Sequence, residues 1–122
     1  MRPIVRHIRN GWQPGDVIVV FRDQPGFEYY AEQFGFSKKD YITGDTTPLI
    51  DYLSSVRQEI TGINLWVVYG HATNADAFTI AQRSLMQYLD TIGTKTQTVE
   101  EPGVTLDVYK ARPPIPTSSD HF

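Results

Sequence analysis

The 122-residue chain contains no cysteine. That excludes disulfide scaffolds and thiolate-ligated zinc or iron–sulfur centres. It does not choose a compartment, because a domain of this size folds without bridges. Long apolar runs are missing as well: nothing approaches the ~18 consecutive apolar residues that a membrane-crossing helix needs. Met1-Arg2-Pro3-Ile4-Val5-Arg6 lacks the apolar centre of a signal peptide. There is no excess of positive charge. A formal net charge of −3 gives no general footprint for nucleic acid. Glycine is sparse where a nucleotide would require it. Phe21-Arg22-Asp23-Gln24-Pro25-Gly26 carries one glycine where a dinucleotide fingerprint has three. Neither a Walker A sequence nor a GxSxG elbow occurs. NAD, ATP and hydrolase chemistry therefore have no motif behind them.

What is present is an alternation of two periodicities. Ile4, Val5, Ile8 and Trp12 form one stripe behind Pro3, which predicts a helix over 3–12 stopped by Gln13-Pro14-Gly15. Asp16–Phe21 is a continuous β-branched run, the pattern of a strand buried on both faces. Asp23 precedes Gln24-Pro25 as a helix N-cap, and Phe27, Tyr30, Ala31 and Phe34 share one helical face ended by Gly35. A short strand over 40–43 follows. A helix then opens at Thr47-Pro48, with Leu49, Leu53, Val56 and Ile60 inward and Thr61-Gly62 as its stop. Leu65–Tyr69 is a second buried strand. Asn74 caps a long helix over 75–92, with Gly93 at its C′ position. Lys95–Glu100 and Val104–Tyr109 alternate at period two around Glu101-Pro102-Gly103 and read as a hairpin.

Alternating β and α elements predict a three-layer, Rossmann-like α/β sandwich with a mainly parallel sheet. The strands at 16–21 and 65–69 belong at its centre, the strand at 40–43 beside the first. The C-terminal hairpin contributes an antiparallel edge. One domain is expected over 1–111, followed by a flexible tail over 112–122.

In such a sheet, ligands bind beyond the carboxyl ends of the strands at the topological switch point. That crevice assigns Arg22, Asp23, Gln24, His71 and Asn74 as candidate ligand-binding residues. His71 and Asp23 follow adjacent strands and form the one conceivable acid–base couple. The plainer reading of His71, a polar loop residue capping a backbone group, is favoured because no nucleophile motif accompanies it. His7 belongs on the exposed side of the first helix and His121 in the tail, so the histidines do not converge on a metal. Asp40, Asp45 and Asp51 fit no twelve-residue calcium loop and read as caps. No metal, cofactor or catalytic residue is expected. Arg2, Arg6 and Arg9 recur at helical spacing as a basic stripe, a solvated face that also suits anionic headgroups if a membrane lies nearby. In the dense aromatic set Phe27, Tyr29, Tyr30, Phe34 and Phe36, Tyr29 falls off the stripe, which suits an interaction surface.

The segment Ile4–Val20, with its helix, Trp12-Gln13-Pro14-Gly15-Asp16 turn and strand, resembles a C-terminal region of bacterial, notably cyanobacterial, multi-pass membrane glycosyltransferases. These are of the dolichyl-phosphate-mannose–protein mannosyltransferase type, glycosyltransferase family 39. Gln24-Pro25-Gly26-Phe27-Glu28-Tyr29-Tyr30-Ala31-Glu32-Gln33-Phe34-Gly35-Phe36 is similar to that family's Q-P-A-F-x-Y-Y-A-x-x-Y-G run. Leu65-Trp66-Val67-Val68-Tyr69-Gly70-His71 resembles its R-V-W-L-L-x-S-H strand. Leu89–Gly93 and Val104–Tyr109 resemble its closing helix and last strand. Gly26, Asn64 and Gly70 stand where the family usually has alanine, arginine and serine. The resemblance spans residues 3–110.

It implies the soluble tail of a longer protein whose transmembrane helices, and the acidic residues that transfer sugar from a polyprenyl-phosphate donor, lie outside this sequence. The implied role is that of a non-catalytic accessory domain on the extracytoplasmic side. Its implied partners are the membrane portion of its own chain, a saccharide or polyprenyl phosphate, and the membrane surface, with no nucleic acid. Arg2, Arg6 and Arg9 would face that surface. The competing expectation is a stand-alone α/β ligand- or nucleotide-binding protein or enzyme working at the switch-point crevice. A docking or dimerisation module using Tyr29 is a third.

Overall fold

The computed structural model describes residues 1–22, 26–70 and 76–114, with the backbone alone for 76–79. The helices are α1 (Arg2–Gly11), α2 (Phe27–Gln33), α3 (Thr46–Ser55) and α4 (Asp76–Ile92). The strands are β1 (Val17–Phe21), β2 (Tyr41–Gly44), β3 (Asn64–Gly70), β4 (Gly93–Glu101) and β5 (Val104–Ala111). They form one sheet in the order β2-β1-β3-β5-β4.

The sheet is not mainly parallel. β1 pairs in parallel with β2 and with β3, whereas β5 runs antiparallel to both β3 and β4. The architecture is a mixed α/β sheet, only partly Rossmann-like, and the expectation drawn from alternating elements is corrected accordingly. The reason lies in two connections. α4 is long enough to carry the chain over the sheet, but it sets β4 down two positions from β3, leaving a gap between them. The tight turn at Pro102-Gly103, with Gly103 at φ 81°, then reverses the chain. β5 enters the gap antiparallel to its neighbours, and its apolar Val104, Leu106, Val108 and Tyr109 are all buried there.

Side-chain alternation divides the core between the two faces. Ile18, Val20, Trp66, Val68, Leu106 and Val108 pack with Ile4, Val5 and Ile8 of α1 and Phe27 and Ala31 of α2. Val19, Phe21, Leu65, Val67 and Tyr109 pack with Leu49 and Leu53 of α3 and Leu85 and Leu89 of α4. The continuous β-branched runs of β1 and β3 are thus strands covered on both sides.

Three local expectations change. α3 stops at Ser55 rather than near Ile60, because the following residues turn toward the sheet. There Gly62 N–H donates to Ala111 O at 2.9 Å and Ala111 N–H to Ile63 O at 3.0 Å. Gly93 is no left-handed helix cap but the first residue of β4. A Cβ there would lie 2.9 Å from the Lys110 carbonyl oxygen, so glycine permits close approach of two backbones. His7 is half-buried rather than exposed; its Nε2 bonds Gln97 Oε1 at 3.1 Å and its ring stands edge-on to Trp66.

Candidate functional site

The switch point between β1 and β3 brings Arg22 to the end of β1, next to the start of α3. Arg22 adopts φ 59°, unusual for a residue with a side chain. Its N–H donates to Gly44 O, and its guanidinium Nε–H donates to Asp45 Oδ1 at 2.5 Å. Asp45 is the N-cap residue of α3, yet its carboxylate makes no capping bond. It is spent on Arg22 instead. Both side chains are more than a third exposed, so the pair adds little stability. What it does is fix the direction of the guanidinium. Asp23, Gln24, His71 and Asn74 lie outside the described residues, as does His121, so the Asp23–His71 couple is not brought together by anything described.

A second polar cluster lies on the α4 side of the sheet, where the sequence pattern assigns nothing. Asp107, in the middle of β5, is 1% exposed. Tyr69 O–H donates to its Oδ2 at 2.6 Å and Thr98 O–H to its Oδ1 at 2.8 Å, while Lys95 Nζ stands 3.5 Å from Oδ2. A β-bulge makes this possible. Lys95 faces Tyr109, Gln97 faces Val108 and Thr98 faces Asp107, so Thr96 is the extra residue in β4. Were β4 regular, without the bulge, Lys95 and Thr98, three apart, would project from opposite faces. With it both reach the same carboxylate, and Gln97 is turned to the other face to meet His7. The Tyr69 hydroxyl is pushed above the usual tyrosine value, chiefly by burial and then by its bond to Asp107. Tyr109 is pushed up by burial and by the nearby Asp107 charge. Each lone pair of the carboxylate that faces a donor is engaged, so the cluster neutralises and orders the sheet rather than presenting a free base.

The signal for Asp107 is in the sequence but points the wrong way. Thr105 and Asp107 alternate with apolar residues, which reads as the wet face of an edge hairpin. In the structure β5 is internal, and that face is covered.

At the opposite end of the sheet a cleft of about 550 Å³ opens at the amino ends of β1 and β2, between Trp12, Asp16, Tyr41 and Tyr52. Asp16 is fully occupied within it. Its Oδ2 accepts from Gln13 N–H and from Trp66 Nε1–H, both at 3.0 Å, and its Oδ1 from Asn64 N–H at 3.1 Å. Asp40 caps its own turn by accepting from Ser37 N–H at 2.8 Å, as expected of a helix-start aspartate. Among the described residues no three acidic or histidine side chains converge on a cation position.

The basic stripe of α1 is exposed, and its three cations all lie over rings. The Arg2, Arg6 and Arg9 guanidinium carbons stand 5.4, 5.8 and 5.3 Å from the ring centres of Tyr30, Phe34 and Phe36. Set against known proteins, the chain matches no family model and no curated protein. No helix among the described residues is long and apolar enough to cross a membrane. Function has to be read from the side chains themselves. The arginine face carries three exposed cations with no carboxylate partner among the described residues.

Proposed function

We propose that this chain is a non-catalytic accessory domain of a membrane-embedded, polyprenyl-phosphate-sugar-dependent glycosyltransferase. In this reading it sits on the extracytoplasmic side and packs against the membrane portion of its own parent chain. The observation that supports it most directly is where the residues of the resemblance meet. Asp16 of the Trp12–Asp16 turn and Trp66 of the later strand, fifty positions apart, are joined by a hydrogen bond, and Gly11 lies against the same indole. The second matched run supplies Phe27 and Ala31 to the core and Tyr30, Phe34 and Phe36 to the rings beneath the arginines. The competing reading, a ligand- or nucleotide-binding protein acting at the crevice, has Arg22 as its one described residue, and that guanidinium is bonded to Asp45.

Two measurements test the proposal. The reading frame upstream of Met1 is expected to encode several hundred residues of multi-span apolar sequence; an upstream frame without spans overturns it. Calorimetry of the 122-residue chain with nucleotide sugars and NAD is expected to give no saturable heat. Tight saturable binding favours the crevice reading instead.

A further inference from the structure

We propose that the arginine–aromatic face built by α1 and α2 docks on an anionic lipid bilayer. The inference rests on the accessory-domain reading only for there being a bilayer within reach; the surface itself stands on three observations.

The first is the ladder. A ring beneath each guanidinium covers one face of the planar cation and strips water from it. Among the described residues no side chain pairs with the in-plane N–H donors, and these are the groups that pair with phosphate oxygens. Arg2, Arg6 and Arg9 are all exposed, and along α1 they span roughly 10 Å at ~1.5 Å per residue. The second is that no carboxylate pairs with these arginines among the described residues. No aspartate or glutamate precedes Asp16. The acids of α2, Glu28 and Glu32, are one turn apart on the flank away from Tyr30 and Phe34 by helical spacing, and Glu28 pairs with Lys38 at 3.4 Å. The third is Tyr29. It is 63% exposed and stands edge-on to Tyr30, the ring under Arg2, with centres 5.0 Å apart. An amphipathic ring beside exposed cations is the pairing found at membrane–water interfaces.

Charge distribution favours a flat surface over a long polyanion. The whole chain is acidic at −3 although this face is basic. A bilayer touches the one face, whereas a nucleic acid that extends past it meets a surface whose remaining charge is net negative.

The test is co-flotation of the 122-residue chain with vesicles of phosphatidylcholine alone or of phosphatidylcholine with phosphatidylglycerol. Binding is expected to the phosphatidylglycerol vesicles alone and to be lost in about 1 M salt, where screening falls to ~3 Å. R2Q/R6Q is expected to weaken binding on the order of tenfold or more. R83Q/K110Q, with the same net charge but exposed positions elsewhere, is expected to change it little. Equal binding to both vesicle types, no binding, or equal loss in the two double variants overturns the proposal. So does equally tight binding to single-stranded DNA. If R2Q/R6Q unfolds, Tyr29→Trp supplies the readout: a blue shift of its emission with phosphatidylglycerol vesicles is expected, and no shift overturns it. Vesicle binding by a chain whose parent lacks membrane spans would remove the glycosyltransferase reading and leave this one. Failure to bind by the domain of a proven membrane glycosyltransferase would do the reverse.

Discussion

Trp66 donates its indole N–H to Asp16 across 3.0 Å, and the far edge of the same indole lies where a Cβ on Gly11 would come within 2.8 Å. One side chain thereby fixes the end of α1, the entry to β1 and the position of β3. Asp16→Ala removes the acceptor of three donors at a half-buried site. A loss of roughly 2–3 kcal/mol is expected for such a charge-assisted set. Urea unfolding checks it, and a shift in midpoint within error would show that water replaces the carboxylate without loss.

Gly11→Ala should reverse the usual helix preference. Alanine in a helix is ordinarily better than glycine by up to ~1 kcal/mol. Here the added methyl presses on a large, 4% exposed ring that cannot swing away. A net destabilisation of about 1–2 kcal/mol is expected. In a double-mutant cycle, Trp66→Phe should relieve most of the penalty. A penalty unchanged in the Phe background would place the strain elsewhere.

Gly93→Ala meets backbone rather than side chain, since the Lys110 carbonyl oxygen sits 2.9 Å from where the added methyl would lie. The two strands would have to part at the start of β4. A cost of roughly 1–3 kcal/mol is expected, together with faster amide exchange at Lys110 and at Arg112, whose N–H donates to Ile92 O. Protection equal to that of the parent chain would count against this account.

Asp107→Ala leaves Tyr69, Thr98 and Lys95 facing an uncompensated cavity. Breaking such a buried set is expected to cost roughly 3–5 kcal/mol. Deleting Thr96 should cost much less, because the ladder becomes regular and Lys95 and Thr98, then two apart, stay on the Asp107 face. Thermal melts of both variants check this. A Thr96 deletion as damaging as Asp107→Ala would contradict this register.

The alkaline limb of stability follows from the same face. Tyr69 and Tyr109 titrate above their unfolded value of about 10. The folded state therefore holds protons that the unfolded chain releases, and stability falls as pH rises past ~10. The slope approaches about 1.4 kcal/mol per pH unit for each ring. The contribution is fully present below pH ~10. Ultraviolet titration should show these two of the seven tyrosines ionising only with unfolding; early ionisation of all seven would contradict their burial.

Much of the site chemistry is legible in the sequence only as residue types. The strand pattern puts Arg22 at the end of β1, where the structure has it. Its bond to Asp45 joins residues 23 apart in the chain, which no local pattern announces. The arginine stripe is visible at helical spacing. The rings beneath it look like core, because periodicity reports which side of a helix is apolar and not what lies across from it.

The sequence by itself determined the elements and the two-sided burial of β1 and β3, since runs of β-branched residues and 3.6-residue stripes are local consequences of side-chain shape and hydrophobicity. It also excluded, by the absence of cysteine, disulfides and thiolate-ligated metals. Tertiary structure decided the strand directions at the β5 end, the burial of Asp107 and the convergence of Lys95 with Thr98. Those depend on where α4 sets β4 down and on one extra residue in a strand. A shift of one position exchanges the two faces of a strand while barely changing its composition.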